Sequence, residues 1–122
     1  MKIIFTDIDG VLNPNFTKKW NKKCINIYNN ICQDFNLSPV ITSTWKIRYN
    51  KSELQEIFYS QGIKIKIFDF TPNLGNRGLE IKKWLKCNNP TNYIIIDDKI
   101  KELKKLKNII KCHGWVGKYS LQ

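Results

Sequence analysis

Three short apolar runs in this chain stop abruptly at carboxylates or hydroxyls. Lys2 to Thr6 runs into Asp7-Ile8-Asp9-Gly10, Val40-Ile41 into Thr42-Ser43-Thr44, and Tyr93 to Ile96 into Asp97-Asp98. A run with no polar alternation is a strand buried on both faces, the habit of a parallel sheet covered by helices on each side. The stretches between supply those helices. From Lys18 to Phe35, apolar residues recur at three- and four-residue steps. Ser52 with Gln55 reads as a capping box opening a helix that buries Leu54, Ile57 and Phe58. A further helix carries Leu79, Ile81, Trp84 and Leu85 up to Asn88-Asn89-Pro90, and Lys99 to Lys107 reads as a last short one.

Ile63, Ile65 and Ile67 alternate with lysines, which predicts a third strand at or near a sheet edge. Asn108 to Cys112 is a fifth strand candidate. Strand and helix alternate throughout, so the expected fold is α/β: a Rossmann-like three-layer α/β/α sandwich around a parallel sheet of about five strands. At 122 residues the chain is expected to be one domain, 1–122. In such sheets the ligand site lies beyond the carboxyl ends of the strands, where these polar residues fall.

Composition removes several alternatives. No apolar run approaches the length that spans a bilayer, and the opening apolar run reaches Asp7 too soon for a secretory segment. Cys24, Cys32, Cys87 and Cys112 are scattered without a CxxC pair, which argues against zinc and for reduced thiols, and the expected location is cytoplasmic. His113 is the one histidine, so a Ser–His or Cys–His mechanism would rest on a single residue near the end. Lys plus Arg number 21 against 10 Asp plus Glu, a net charge of +11 that suggests a polyanionic partner. All but Arg48 and Arg77 of these cations are lysines, and an A/T-rich genome gives the same Lys, Ile and Asn bias.

Four of the six aspartates lie in the two strand-end clusters. Carboxylates packed together repel, and a divalent cation such as Mg²⁺ offsets that cost. Taken alone, Asp97-Asp98 could simply cap the helix expected at Lys99, and Asp7 to Gly10 could be a turn. An EF-hand does not fit, because the glycine is misplaced and Lys18 stands where a bidentate Glu is needed.

The constellation resembles the haloacid dehalogenase superfamily. Asp7-Ile8-Asp9-Gly10-Val11 is similar to its first motif, and Val40-Ile41-Thr42-Ser43 to its second. Asn76-Arg77-Gly78-Leu79-Glu80-Ile81 is similar to its third region, and Ile94-Ile95-Ile96-Asp97-Asp98 to its fourth. A narrower likeness, carried by Ser43-Thr44-Trp45 and by Arg77-Gly78-x-Glu80-Ile81-x-x-Trp84-Leu85, is to the small dehalogenase-type domains of multi-domain RNA-repair ("Swiss army knife") proteins.

The resemblance implies a phosphatase working through an aspartyl-phosphate. Asp7 is then the nucleophile and Asp9 the general acid and base. Mg²⁺ sits on Asp7, the Asp9 backbone carbonyl and Asp98, with Asp97 in support. Thr42 and the backbone at Ser43 hold phosphoryl oxygens, and so does Arg77. Ser43 could replace Thr42 as the hydroxyl ligand, and Lys82 could replace Arg77 as the cation.

Relatives acting on small metabolites carry a cap domain, for which neither the stretch between Asp9 and Thr42 nor that between Thr42 and Arg77 has room. An open site suits a macromolecular end, so a nucleic-acid or nucleotide phosphate is the expected substrate. Lys18, Lys19, Lys22 and Lys23 around Trp20 are candidate nucleic-acid contacts, whereas the lysines from 99 to 107 read as a solvated helix face. A small phosphomonoester or phosphoprotein substrate, and a non-catalytic binding module, stay open at this point. Neither the oligomeric state nor the tail from Gly114 is specified.

Overall fold

The computed structural model describes residues 1–14 and 16–111. Cys112, His113 and the tail from Gly114, discussed above, lie outside the described residues. Five strands form one sheet in the order β3-β2-β1-β4-β5, every neighbouring pair parallel. They are β1 Lys2–Thr6, β2 Ser38–Ile41, β3 Asp69–Phe70, β4 Asn92–Asp97 and β5 Ile109–Lys111. Helices α1 (Lys22–Asp34), α2 (Trp45–Arg48), α3 (Lys51–Ser60) and α4 (Arg77–Asn88) connect them, with a 3₁₀ turn at Lys101–Leu103.

Alternation along β1 divides the core between the two faces. Ile4 packs with Ile41 and Ile96 against Ile25 and Tyr28 of α1 and Leu54 and Phe58 of α3. Ile3 and Phe5 pack with Val40 and Ile95 against Ile81 and Trp84 of α4, Phe5 meeting the Trp84 ring edge-on at 5.5 Å. This is the expected three-layer α/β/α sandwich, with no inserted cap among the described residues. The sheet order reverses at β1, leaving a switch point between β1 and β4 where crossovers diverge.

Four local expectations are corrected. Helix α1 starts at Lys22, not Lys18, because Asn21 caps it by accepting from Cys24 N at 3.0 Å. Residues 18–20 are held outside it by Gln61, which accepts from Trp20 N at 2.9 Å and donates to Lys18 O at 2.9 Å. The capping box of α3 is Asn50 with Glu53, two residues ahead of the expected Ser52 and Gln55. Gln55 instead donates to Ile65 O and accepts from Ile67 N, holding the Ile63–Ile67 stretch off the sheet. The edge strand is therefore Asp69–Phe70. Lys99 to Lys107 is not an α-helix: only the 3₁₀ turn forms, with Leu103 buried and Ile100 partly exposed.

Candidate active site

The ends of β1, β2 and β4 are tied at one level. Asp7 N donates to Ile96 O at 3.3 Å, and Thr42 N to Thr6 O at 3.0 Å. Asp7, Thr42 and Asp97 thus emerge side by side at the switch point, all three buried. Past Asp7 the chain turns tightly: Ile8 O accepts from the N–H groups of Val11, Leu12 and Asn13. Gly10 makes this turn possible at φ 86°, and a Cβ there would collide with the Asp98 carboxylate. The glycine both permits the turn and makes room for Asp98.

Asp7, Asp97 and Asp98 each offer a carboxylate oxygen, all within 4.8 Å of one another. Burial, then the charge of Asp97, pushes the Asp7 carboxyl up to about 8, against the opposing pull of Arg77. Burial raises Asp97 as well, opposed by Arg77 and by the Lys99 N–H, which donates to its Oδ1 at 3.0 Å. That bond is the local cap expected at Lys99, so Asp97 both caps a turn and belongs to the cluster. Arg77 Nη1 lies 2.9 Å from Asp97 Oδ2 and 3.3 Å from Asp7 Oδ2. Although burial opposes its charge, the two carboxylates raise the Arg77 pKa further. One guanidinium against three carboxylates leaves the cluster short of positive charge. Its all-oxygen donor set suits a hard divalent cation such as Mg²⁺.

The remaining expected residues fall as follows. The Oγ1 of Thr42 is the single buried side-chain polar atom without a hydrogen-bond partner among the described residues. Thr42 and Arg77 line one cavity of about 210 Å³. Ser43 Oγ accepts from Trp45 N at 3.2 Å and so shapes the turn into α2. Lys82 is exposed and lines a different cavity, with Lys101, Lys104 and Lys105. Asp9 is not one of the three clustered aspartates, and its Oδ2 accepts from Trp45 Nε1 at 3.1 Å.

Trp20 corrects an expectation. It is 3% exposed and buried edge-on against Trp45 and Phe58, at 5.4 and 5.7 Å, so it cannot stack on an incoming base. Lys18, Lys19, Lys22 and Lys23 are exposed around it.

Three site residues escaped the sequence reading. Trp45 and Glu80 appeared only within motif likenesses, without a role. Lys46 and Glu80 form a buried ion pair at 3.2 Å beside Thr42 and Arg77. Lys46 also points to Thr42 O at 3.5 Å, and Glu80 Oε2 accepts from Leu74 N at 2.8 Å, which fastens the loop before α4. A lysine one helical turn after Thr42 was the available signal, hidden among so many other lysines.

An acidic cluster at the switch point of a doubly wound parallel sheet, with Asp7 at the end of the central strand, defines a haloacid dehalogenase-type domain. Residues 3–117 match the family described as the HAD domain in Swiss Army Knife RNA repair proteins, and the chain belongs to that family. The family is of a broadly phosphatase or hydrolase kind. Comparison with curated proteins and with solved structures gave no match. No helix among the described residues is long and apolar enough to cross a membrane.

Proposed function

We propose that this domain is a Mg²⁺-dependent phosphomonoester hydrolase acting on the phosphate of a nucleic-acid end or nucleotide. The observation that carries the reading is the unpartnered Thr42 hydroxyl, which shares a cavity with the Arg77 that touches Asp7. A buried hydroxyl left unsatisfied costs on the order of 1–3 kcal/mol, a cost that a bound phosphoryl oxygen removes.

In this reading Asp7 forms a bond to phosphorus as the bond to the leaving oxygen breaks. Asp9 gives its proton to that oxygen, then takes one from the water that releases phosphate from Asp7. Arg77 and Thr42 hold the phosphoryl oxygens in place. Asp7, Asp97 and Asp98 would hold Mg²⁺, which when bound supplies charge neutralisation between carboxylate and phosphate. The lack of an inserted cap among the described residues and the RNA-repair setting of the family support a macromolecular end as substrate.

The test is phosphate release, with Mg²⁺ or EDTA, from 3′- and 5′-phosphorylated oligonucleotides, nucleotides, a phosphopeptide and an aryl phosphate. Mg²⁺-dependent turnover, abolished in Asp7→Asn, is expected. Turnover that survives Asp7→Asn sinks the mechanism. Oligonucleotide ends no better than the aryl phosphate would remove the nucleic-acid substrate.

A further inference from the structure

Three of the lysines that read as a solvated helix face, Lys101, Lys104 and Lys105, line a concavity instead. Without an α-helix after β4, the 3₁₀ turn brings Lys101, Lys104 and Lys105 beside Lys82 of α4, lining a cavity of about 410 Å³. All four are exposed. Leu79 and Leu106 give the cavity apolar wall, and Leu79 is 55% exposed on the first turn of α4, outside both core clusters. Its one lining acid, Glu102, is engaged: Oε1 accepts from Arg77 N at 2.9 Å. Gly78 lets the two segments approach this closely, since a Cβ there would strike Glu102 O.

This cavity adjoins the one that holds Thr42 and Arg77, and Asn76 and Glu102 line both. The other lysine group lies apart: the cavities lined by Lys18, Lys19 and Lys22 share no lining residue with the one that holds Thr42 and Arg77.

We infer that the groove formed by Lys82, Lys101, Lys104 and Lys105 carries the phosphodiester backbone of a single-stranded nucleic acid whose terminal phosphate lies at Thr42 and Arg77. The inference rests on the phosphatase reading above and adds the surface that selects the substrate. A strand repeats a phosphate at every unit and carries apolar base faces between them, so ammonium groups beside exposed leucine match both parts. A phosphopeptide offers one dianion and no such repeat.

Two triple variants with equal charge change separate position from net charge: Lys101→Glu/Lys104→Glu/Lys105→Glu, and Lys18→Glu/Lys19→Glu/Lys22→Glu. Binding of a fluorescent, unphosphorylated single-stranded oligonucleotide is measured by anisotropy across a salt series. kcat and KM are measured for the end-phosphorylated oligonucleotide, a phosphopeptide and an aryl phosphate. For the groove triple, oligonucleotide affinity is expected to fall about 100-fold or more near 0.1 M salt, and the salt slope to drop by about 2. KM for the oligonucleotide rises in step, while aryl phosphate turnover stays within about twofold of the unsubstituted protein. Equal losses in both triples, or none in the groove triple, overturn the inference. A loss confined to the phosphopeptide overturns it in favour of an acidic protein partner. Oligonucleotide binding that depends on the groove, without turnover of any substrate, keeps the groove and sinks the phosphatase reading.

Discussion

Trp45 donates its indole N–H to Asp9 Oδ2 at 3.1 Å, linking the short helix after β2 to the carboxylate two residues beyond Asp7. An indole nitrogen only donates, so Oδ2 is the acceptor, and in the proposed mechanism the proton that Asp9 would give up sits on Oδ1. Trp45 is itself fixed by Trp20 edge-on, by Tyr49 stacked at 5.7 Å and by Arg48 5.0 Å from its ring centre.

Trp45→Phe should therefore damage proton transfer more than binding. A phosphate ester of a poor alkyl leaving group needs the proton, whereas a nitrophenyl ester hardly does. The expected result is about a tenfold loss of kcat on the alkyl ester, with little change on the aryl ester and in either KM. An equal loss on both esters would show that Trp45 acts only as packing.

The carboxylate cluster predicts a pH-dependent response to metal. Folding raises the Asp7 carboxyl from its ordinary 3.8 to about 8, so the folded state keeps a proton that the unfolded state has released. Metal-free stability should then fall as pH rises from about 4 to about 8, and level off above. Asp97 shifts in the same direction and adds to the trend. Mg²⁺ must displace that proton, so the rise in Tm on adding Mg²⁺ should be larger at pH 8 than at pH 6. Thermal melts in EDTA and in Mg²⁺ at the two pH values check it; identical shifts would contradict it.

Gly10→Ala should destabilise the first-motif turn by about 1–2 kcal/mol through its positive φ, and push Asp98 out of the cluster as well. The expected signature is a folded protein whose Tm no longer responds to Mg²⁺. A normal Mg²⁺ response would mean that Asp98 is not part of the ion site.

Lys46→Met should strand the Glu80 carboxylate, which is 8% exposed at its side chain. Breaking a buried pair from one side costs about 3–5 kcal/mol, read in urea titrations as a fall in the midpoint. Adding Glu80→Leu removes the orphan charge and should restore much of the midpoint, though not the bond that fastens Leu74. A double variant no more stable than the single one would show that the pair does not act as a unit.

Much of the fold was legible because its signals are local. Uninterrupted apolar runs mark doubly covered strands, and β1 begins and ends where the pattern places it. Side-chain-to-backbone competition was less legible. Asn50 and Ser52 are both good caps, and the choice went to the residue whose partner, Glu53, was not needed elsewhere, while Gln55 was drawn to Ile65 and Ile67. Trp20 shows the same limit in the other direction, since an aromatic among lysines reads as a binding surface until its burial is known.

By itself the sequence determined the sheet class and the carboxylates at its strand ends, because side-chain alternation and strand termination depend on neighbours in the chain. It put Arg77 ahead of Lys82 but kept both as candidates, and it could not turn Asp9 toward Trp45 or find the Lys46–Glu80 pair. Those depend on which side chains meet across the switch point, with separations of 20 residues or more: Arg77 to Asp97, Asp9 to Trp45, Lys46 to Glu80. The lysines behaved likewise. Their number was set by composition, but only the packing of the 3₁₀ turn against α4 decided which of them border a groove beside the cavity of Thr42 and Arg77.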